Sequence, residues 1–424
     1  MSLQQIIAIV IFLCTMGAII TGKVHNTVAS LTGAACLVLT HILSIEDCID
    51  AVDVETICIL VGMMLLVAVI KNSGIFEYIA IKAAKIAKGR PWPIMVIFIL
   101  ITAVCSGMLD NVTTVLLVGP MTLAITNILK VDPVPYIITQ IMASNIGGTA
   151  TLIGDPPNIM IGSAAKLSFV DFILNTGVAT IFVIIVGLIE INLYFIYGRK
   201  LFVEDEAIAK VMQLDENKAI KDRKLMHESV IIIILVALCF IFHDQLGVQS
   251  CTVAIAAACI MLLIGGQEPE EIISEVEWPT ILFFIGLFIV VGGMKKVGVI
   301  TMLANGLISI THGNMVVTMM VILWVSAIVS SFLDNIPFVA TLIPMILTMQ
   351  SEGMDVTPIW WALSLGACLG GNGTLIGASA NVVLSGISKN NGHPITFGQY
   401  FKIGFPMMIL SIAVCSVFLL IRFA

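Results

Sequence analysis

Residues 107–121 read GMLDNVTTVLLVGPM, and residues 331–345 read SFLDNIPFVATLIPM. The two stretches share Leu-Asp-Asn and a later proline, so that Asp110 pairs with Asp334 at an offset of 224 positions. Each Asp-Asn pair interrupts a long apolar run, which is an unusual place for a carboxylate. This recurring stretch decides the fold, because it suggests that one half of the chain repeats the other.

The repeat extends on both sides of these stretches. VDVETICILVGMMLLVAVIKNSG, which starts at Val52, aligns with VEWPTILFFIGLFIVVGGMKKVG, which starts at Val276, at the same offset of 224. After a one-residue deletion, GGTATLIGDPPN at 147–158 aligns with GGNGTLIGASAN at 370–381. A match of this length at one offset indicates an internal duplication, which is common in secondary transporters.

The composition indicates a membrane protein. The chain has 424 residues, of which 59% are hydrophobic and only 11% are charged. A soluble domain is usually about 45–50% apolar and about 25% charged, so this chain lacks the polar side chains to cover a globule. At roughly 20 residues per crossing, the apolar length provides about ten spans. We therefore expect an all-α polytopic membrane protein.

Charge and cysteine usage exclude several classes of partner and cofactor. The net charge is −7 and no basic patch is present, so no nucleic-acid partner is expected. The ten cysteines form no C-x-x-C pair and lie mostly in apolar runs, which is typical of small buried hydrophobes. No G-x-x-x-x-G-K-[ST] motif occurs, so nucleotide hydrolysis is not intrinsic and no cofactor is expected.

The apolar runs predict an inverted repeat of about ten transmembrane helices, two re-entrant hairpins and two broken helices. Each half has five full spans and one hairpin, an odd number of crossings, so the second half must be inverted. The predicted divisions are a first repeat at 1–198 with hairpin 92–129 and broken helix 134–165, a linker at 199–228, and a second repeat at 229–424 with hairpin 314–350 and broken helix 358–388.

Lysine and arginine positions predict the orientation. With the 199–228 linker in the cytoplasm, sixteen of the twenty bases lie inside and four outside, which satisfies the positive-inside rule. We therefore expect a multi-pass protein of the plasma (inner) membrane with a cytoplasmic linker. Trp360 and Trp361 fit anchors at the membrane interface.

The acidic tips are the first candidate chemistry. A carboxylate at mid-membrane costs at least about 2.5–3.5 kcal/mol on insertion scales, so two repeat-related ones suggest a function. Burial favours the neutral acid and a nearby cation favours the ionised one, so Asp110 or Asp334 could exchange a proton for Na⁺ or a substrate. The alternative is that each Asp only caps the second hairpin helix, and both roles can hold together.

The glycine-rich interruptions are the second candidate chemistry. Glycines unwind the helix and Pro156-Pro157 prevents its direct resumption, which frees backbone groups at membrane depth. In broken-helix transporters such groups bind ions and substrates, whereas the alternative here is close helix packing through small residues. Asp155 has Ala378 as its counterpart, and it suits either a coupling role or an N-cap of the following half-helix.

These two features give the candidate site. Neutral oxygens of threonine and asparagine suit hard cations and polar solutes. Two groups could each hold Na⁺: Asp110, Asn111 and Thr151, and Asp334, Asn335 and Thr374. The full set of candidate substrate- or ion-binding residues is Asp110, Asn111, Thr113, Thr114, Asn145, Gly148, Thr149, Thr151, Asp155, Asn158, Asp334, Asn335, Asn372, Thr374 and Asn381.

At FLDN, NIGGTATLIGDPPN, LGGNGTLIGASANV and GFPMM, the sequence resembles the ion transporter superfamily. It is most similar to the citrate-transporter-like group that contains P proteins, arsenite permeases and sodium–proton antiporters. The resemblance implies that the substrate and cation sites lie between the hairpin tips and the broken helices. In related dicarboxylate–sodium symporters the tips carry Ser-Asn-Thr. Here the tips have aspartate in place of serine, which favours proton or cation antiport over dicarboxylates.

We therefore expect a secondary active transporter, not an enzyme, that moves an inorganic ion or small solute by alternating access. Its coupling ion would be H⁺ or Na⁺, as in arsenite efflux or Na⁺/H⁺ antiport. The alternatives are a di- or tricarboxylate symporter, a passive anion channel and, least favoured, an intramembrane aspartyl protease. The lipid bilayer and a second copy in a homodimer are the expected partners, and an ATPase subunit stays an open alternative.

Overall fold

The computed structural model describes residues 1–198 and 204–424, so 199–203 of the predicted linker lie outside the described residues. Within these two ranges every regular element is helical. The predicted all-α polytopic architecture is therefore confirmed.

The first half of the chain contains eleven α-helices, and a π-helical turn at Ile173–Gly177 joins the last two. They are α1 (Leu3–Thr21), α2 (Asn26–Leu39), α3 (Ile45–Ala51), α4 (Val54–Lys71), α5 (Ile75–Ile86), α6 (Pro91–Met108), α7 (Asn111–Leu129), α8 (Val134–Thr149), α9 (Pro156–Ala165), α10 (Phe169–Phe172) and α11 (Val178–Gly198).

The rest of the described chain contains eleven more α-helices, with 3₁₀ turns at Glu216–Ala219 and Gly371–Gly373. They are α12 (Asp205–Met212), α13 (Arg223–Leu246), α14 (Ser250–Ile264), α15 (Pro269–Ser274), α16 (Trp278–Lys296), α17 (Val299–Ile310), α18 (Met315–Phe332), α19 (Asn335–Ser351), α20 (Thr357–Gly370), α21 (Ser379–Asn390) and α22 (Phe397–Phe423).

The helix starts follow the sequence repeat. Six pairs, from α2 with α14 to α7 with α19, start 224 residues apart, and α8 with α20 and α9 with α21 start 223 residues apart. The duplicated sequence thus corresponds to a duplicated set of helices.

Nine helical segments of the described chain are long and apolar enough to cross a bilayer. They are Leu3–Thr21, Val54–Lys71, Pro91–Met108, Asn111–Leu129, Phe169–Ile191, Arg223–His243, Trp278–Lys296, Met315–Phe332 and Phe397–Phe423. Four shorter apolar helices accompany them: α2, α14, α17 and α19.

The two repeats are joined through reciprocal helix crossings. Helix α4 packs on α14, and their repeat mates α16 and α2 pack in the same way. A Cβ at Gly62 would lie 2.7 Å from a backbone atom of Ala254, and one at Gly286 would lie 2.8 Å from the backbone of Leu31. Glycine at these matched positions therefore lets the helix backbones touch, as small residues do in membrane helix packing.

The hairpin tips have the same construction in both halves. Helix α6 ends at Met108 and α7 starts at Asn111, with Asp110 as the N-cap residue between them. Asp334 is the corresponding N-cap of α19. Both acids therefore cap the second helix of their hairpin, as the capping alternative predicted.

Part of the linker packs against the first repeat. The Lys85 ammonium donates to the Glu216 carboxylate at 2.6 Å and to the Leu214 carbonyl at 3.1 Å. The backbone N–H of Lys221 donates to the Ser73 carbonyl at 3.0 Å. The described part of the linker is therefore docked on helix α5 and the turn before it.

The expected interfacial position of Trp360 and Trp361 is wrong. Each side chain is only 3% exposed, and Trp361 contacts the ring of Phe172 edge-on at a centroid distance of 5.2 Å. The tryptophans lie on α20, the first part of a broken helix whose residues from Pro358 onward are all buried. They pack in the protein core because the whole helix is enclosed by its neighbours.

Candidate functional site

The first broken helix is held open by one amide. Helix α8 ends at Thr149, α9 starts at Pro156, and Asn158 lies in the first turn of α9. Its Nδ2 donates to the freed carbonyls of Gly148 and Thr151 at 3.2 and 2.9 Å, and to that of Thr149 at 3.3 Å. Buried carbonyls need such partners, so this side chain stabilises the interruption.

The second broken helix uses the same device. Asn381, the repeat mate of Asn158, donates from Nδ2 to the carbonyls of Gly371 and Thr374 at 2.7 and 2.9 Å. Both asparagine side chains are fully buried. The predicted site residues Asn158 and Asn381 are therefore structural supports of the interruptions.

The two interruptions meet through an amide network. Asn145 Nδ2 donates to Asn381 Oδ1 at 2.8 Å and to Asn372 Oδ1 at 3.0 Å. Asn111 Nδ2 donates in turn to Asn145 Oδ1 at 3.3 Å. This network links a hairpin tip of the first repeat with the broken helix of the second.

A matching contact crosses the repeats on the other side. Cys368, which aligns with Asn145, donates from its thiol to Asn158 Oδ1 at 3.4 Å, and Ser364 Oγ donates to the same oxygen at 2.6 Å. The centre of the protein is thus a buried set of uncharged hydrogen-bonding groups contributed by both repeats.

The two acidic tips differ in their partners. Asp110 accepts hydrogen bonds from the backbone N–H of Thr113 at 2.8 Å and from the Thr113 hydroxyl. Asp334 accepts from the N–H of Ile336 at 3.2 Å and from Ser379 Oγ at 2.7 Å. The carboxylates bond to separate groups, which does not match the shared-proton dyad of an aspartyl protease.

Asp155 does not cap its own helix. It occupies the N-cap position of α9 without a side-chain capping bond. Its two carboxylate oxygens instead accept from Asn335 Nδ2 at 3.3 and 3.4 Å. Asp155 therefore connects the first broken helix to the tip of the second hairpin, and the N-cap alternative is not realised.

A small chamber lies where these elements converge. Its volume is about 30 Å³, and the polar residues that line it are Asp110, Asn111, Asp155, Glu277, Thr280, Asn335 and Ser379. A water needs at least about 10–15 Å³ of such space, so the chamber can hold about two waters or one desolvated cation. Lysine and arginine do not occur among the described residues of its wall.

A larger vestibule of about 670 Å³ adjoins the chamber. Glu277, Thr280 and Ser379 line both spaces. Asp334 lies in the vestibule wall and Asp110 in the chamber wall, so the two repeat-related acids occupy different environments.

Several predicted site residues lie outside the chamber wall. Thr151 Oγ1 donates to the Gly107 carbonyl, and Thr374 Oγ1 donates to the Ser331 carbonyl. These bonds fasten each interruption to its own hairpin. The structure therefore does not bring the hydroxyls of Thr151 and Thr374 into a common cavity with the acids.

The remaining predicted residues support the backbone nearby. Thr149 Oγ1 donates to the Asn145 carbonyl at 2.7 Å. A Cβ at Gly148 would lie 2.5 Å from the Gly154 carbonyl oxygen, so glycine permits the tight loop. Thr113 bonds Asp110, as described above, and the Thr114 hydroxyl is buried on the first turn of α7 without a hydrogen-bond partner in the described chain.

Glu277 is a chamber residue that the sequence analysis missed. It precedes α16 and accepts a hydrogen bond from Thr280 Oγ1 at 3.2 Å. A signal for it was present, because the repeat alignment sets Glu277 beside Asp53, an acid in the same place of the other half. Ser379 has Pro156 as its mate, so no comparable signal marked it.

Comparison with known families agrees with this architecture. Residues 16–366 match the citrate transporter family. The chain belongs to this family. The resemblance drawn from the paired motifs is confirmed, and the described helices make this citrate transporter family member a multi-pass membrane protein.

Sequence relatives match nearly the whole chain. An uncharacterized transporter of Mycobacterium tuberculosis (strain ATCC 25618 / H37Rv) is 41% identical over 99% of both chains. The human P protein is 31% identical over 99% of this chain and 60% of its own length. The crystal structure of the YdaH transporter of Alcanivorax borkumensis, which has an unusual topology, shares the fold, with a TM-score of 0.57 over 85% of this chain and 84% of that chain at 14% identity.

Proposed function

We propose that this citrate transporter family member is a secondary active transporter whose coupling cation, H⁺ or Na⁺, binds in the chamber at the hairpin tips. The observation that carries the proposal is the wall of the chamber. Three carboxylates, Asp110, Asp155 and Glu277, line a space of about 30 Å³ together with neutral amide and hydroxyl oxygens. Hard cations are bound by such oxygen ligands, and carboxylates in low dielectric strongly favour a bound cation or proton.

The chamber and the vestibule would hold different species. The chamber is too small for a citrate-sized solute, whereas the vestibule of about 670 Å³ lies within the volume range of small-molecule sites. A solute bound in the vestibule would contact Asp334, Glu277 and Ser379. A cation in the chamber would then change the electrostatic potential at that solute, and so its binding free energy. This change supplies a physical basis for coupling.

The residues that line the vestibule and the chamber indicate which charge of solute they would accept. Lysine and arginine are missing from the described residues that line the vestibule and the chamber. A cationic or uncharged inorganic solute fits this surface better than an anion, which supports Na⁺/H⁺ antiport or efflux of a neutral arsenite-type solute. The family description and the vestibule volume favour a second candidate, symport of a di- or tricarboxylate neutralised by bound cations.

We infer the orientation in the membrane from the charge distribution. With the 199–228 linker in the cytoplasm, the loop that contains Lys23 also lies inside. Gly22, Val24 and His25 of that loop line the vestibule. We therefore assign the open vestibule to the cytoplasmic side of the inner membrane.

The test is flux in proteoliposomes that contain the purified protein. An imposed pH or Na⁺ gradient should drive counterflow of the partner cation, arsenite or a carboxylate, measured in separate assays. Asp110→Asn and Asp155→Asn should lower gradient-driven flux by more than tenfold, and Asp50→Asn, at an exposed position on α3, should leave it unchanged. Full activity of the Asp155→Asn protein, or flux that never responds to a cation gradient, would remove the basis of the proposal.

A further inference from the structure

Two acids occupy the same position in the two repeats. Asp53 is the N-cap of α4 and Glu277 is the N-cap of α16, and the two positions are 224 residues apart. Each accepts a hydrogen bond from the threonine three residues later, from Thr56 Oγ1 at 2.6 Å and from Thr280 Oγ1 at 3.2 Å. The pairing in sequence is therefore also a pairing in local structure.

The two acids face different surroundings. Glu277 lines both the vestibule and the chamber, so it lies on the path between them. Asp53 instead accepts a hydrogen bond from Ser163 Oγ at 3.0 Å, and the same hydroxyl has Glu55 Oε2 as a more distant acceptor at 3.5 Å. Ser163 belongs to α9, the half-helix that carries Asn158, so this bond joins the broken helix to the start of helix α4.

The repeat mate of Ser163 cannot make this bond. At the offset of 223, Ser163 corresponds to Gly386 on α21, which has no side chain to donate. A Cβ at Gly386 would have no heavy atom within 4 Å. The Ser163–Asp53 bond that joins α9 to α4 in the first repeat is thus replaced by open space in the second.

Burial follows the same asymmetry. Ile159 is 2% exposed, whereas its mate Val382 is 52% exposed and lines the vestibule. Ile153 is 3% exposed, whereas its mate Ile376 is 49% exposed. A cavity of about 270 Å³ does occur beside the first repeat, with Glu55, Ser163, Ile159 and Lys166 in its wall. Asp53 does not line this cavity and reaches its wall through the bond to Ser163. None of the described residues lines both this cavity and the chamber.

We propose that Glu277 and Asp53 are paired access carboxylates for the cation, one toward each side of the membrane, and that the Ser163 hydroxyl is a latch that holds the Asp53 side shut in this conformation. The inference rests on the proposed cation-coupled transport and identifies how its chamber is reached. In this conformation the cation enters past Glu277. When α9 moves away from α4, Ser163 releases Asp53, and the 270 Å³ cavity becomes the second vestibule.

The latch is strong enough to set the conformational balance. A hydrogen bond to a charged acceptor contributes enough to change an equilibrium by roughly tenfold or more. Removing it should therefore shift the population toward the opposite conformation. Adding a serine at Gly386 should do the same, because that serine could bond Glu277 only in the opposite conformation.

The test is labelling of reporter cysteines with a membrane-impermeant maleimide, in vesicles of both orientations and relative to the parent protein. In the parent, Val382→Cys should react rapidly and Ile159→Cys slowly. Ser163→Ala and Gly386→Ser should each raise labelling at 159 about tenfold and lower it at 382. Ser351→Ala, at an exposed serine that donates within its own helix, should change neither rate.

Labelling needs no transport, so it separates this inference from the proposed function. Unchanged labelling at 159 in the folded Ser163→Ala protein would overturn the latch, even if flux assays support the chamber. The access role is tested by Glu277→Gln, which should slow gradient-driven flux at least tenfold while leaving the labelling pattern intact. Normal flux in that variant would overturn the access role of Glu277. The proposed cation site in the chamber would then depend on Asp110 and Asp155 alone.

Discussion

Replacing Asn381 should destabilise the protein more than replacing any exposed asparagine on the same helix. Its Nδ2 donates to the carbonyls of Gly371 and Thr374, and its Oδ1 accepts from Asn145 Nδ2 at 2.8 Å. All three partners lie in the buried centre of the molecule. Asn381→Ala therefore leaves the Gly371 carbonyl and one Asn145 N–H without a protein partner, whereas the Thr374 carbonyl keeps the N–H of Gly377 at 3.2 Å.

The magnitude follows from these two unpaired groups. A buried polar group that loses its partner costs about 1–3 kcal/mol, so Asn381→Ala should lower the free energy of unfolding by roughly 2 kcal/mol or more. Water entering the space left by the amide would recover part of this loss. Asn381→Leu fills that space and excludes water, so it should be more destabilising than the alanine variant.

Equilibrium unfolding in mixed detergent micelles measures the effect. The matched control is Asn391→Ala at the end of α21, because Asn391 is exposed and its amide donates to the Ile387 carbonyl at 2.9 Å. A surface change of this kind should alter the free energy of unfolding by less than about 0.5 kcal/mol. If Asn381→Leu unfolds at the same denaturant concentration as Asn391→Ala, the amide does not support the broken helix.

Three further outcomes are expected. Asn158→Leu should destabilise the protein at least as much as the Asn381 variant, because it deprives three carbonyls and a serine hydroxyl of their partner. Gly62→Val should abolish folded protein on size-exclusion chromatography, since its Cβ would overlap a neighbouring backbone, whereas Gly306→Ala has open space and should behave as the parent. The Lys85 ammonium holds the pKa of the Glu216 carboxyl below its usual value, so the linker should stay docked at neutral pH and become sensitive to limited proteolysis as the pH falls through that lowered pKa. Lys85→Gln should make it sensitive already at pH 7.

Much of the fold was predictable because the sequence contains the same motifs twice, so the interpretation of one half could be compared with that of the other. The Leu-Asp-Asn stretches predicted two hairpin tips, and Asp110 and Asp334 do lie between paired helices. An acid before an apolar helix is favoured both as a cap and as a functional group, so the sequence could support the position without deciding the role. The structure shows the capping role at both tips.

The site was less predictable because a side chain's partners depend on tertiary packing. Thr151 and Thr374 were expected to offer hydroxyl oxygens to Na⁺, yet both donate to carbonyls of their own hairpins. Glu277 follows a short polar segment next to Trp278-Pro279, where an acid is typical of a solvated loop. Only the packing of α16 beside the hairpin tips brings Glu277 into the chamber wall.

The conformation was beyond the reach of the sequence for a different reason. Two repeats that carry the same motifs do not specify which of them faces an open cavity. Burial distinguishes them: Ile159 is enclosed and its mate Val382 is exposed to the vestibule. That difference arises from the relative placement of helices, which a local pattern does not encode.

The positions where the repeats differ suggest how the two conformations are balanced. Groups that hold the broken helices open are kept in both halves, as Asn158 and Asn381 are. Two of the differences occur along the proposed pathway, where Asp155 accepts from Asn335 while its mate Ala378 cannot, and Ser163 bonds Asp53 while glycine stands at the matching site. An exact repeat would give both conformations equal free energy, because exchanging the halves would exchange the states. A latch present in one half alone must therefore favour one state, and a cation can reverse that preference only by binding the other state more tightly.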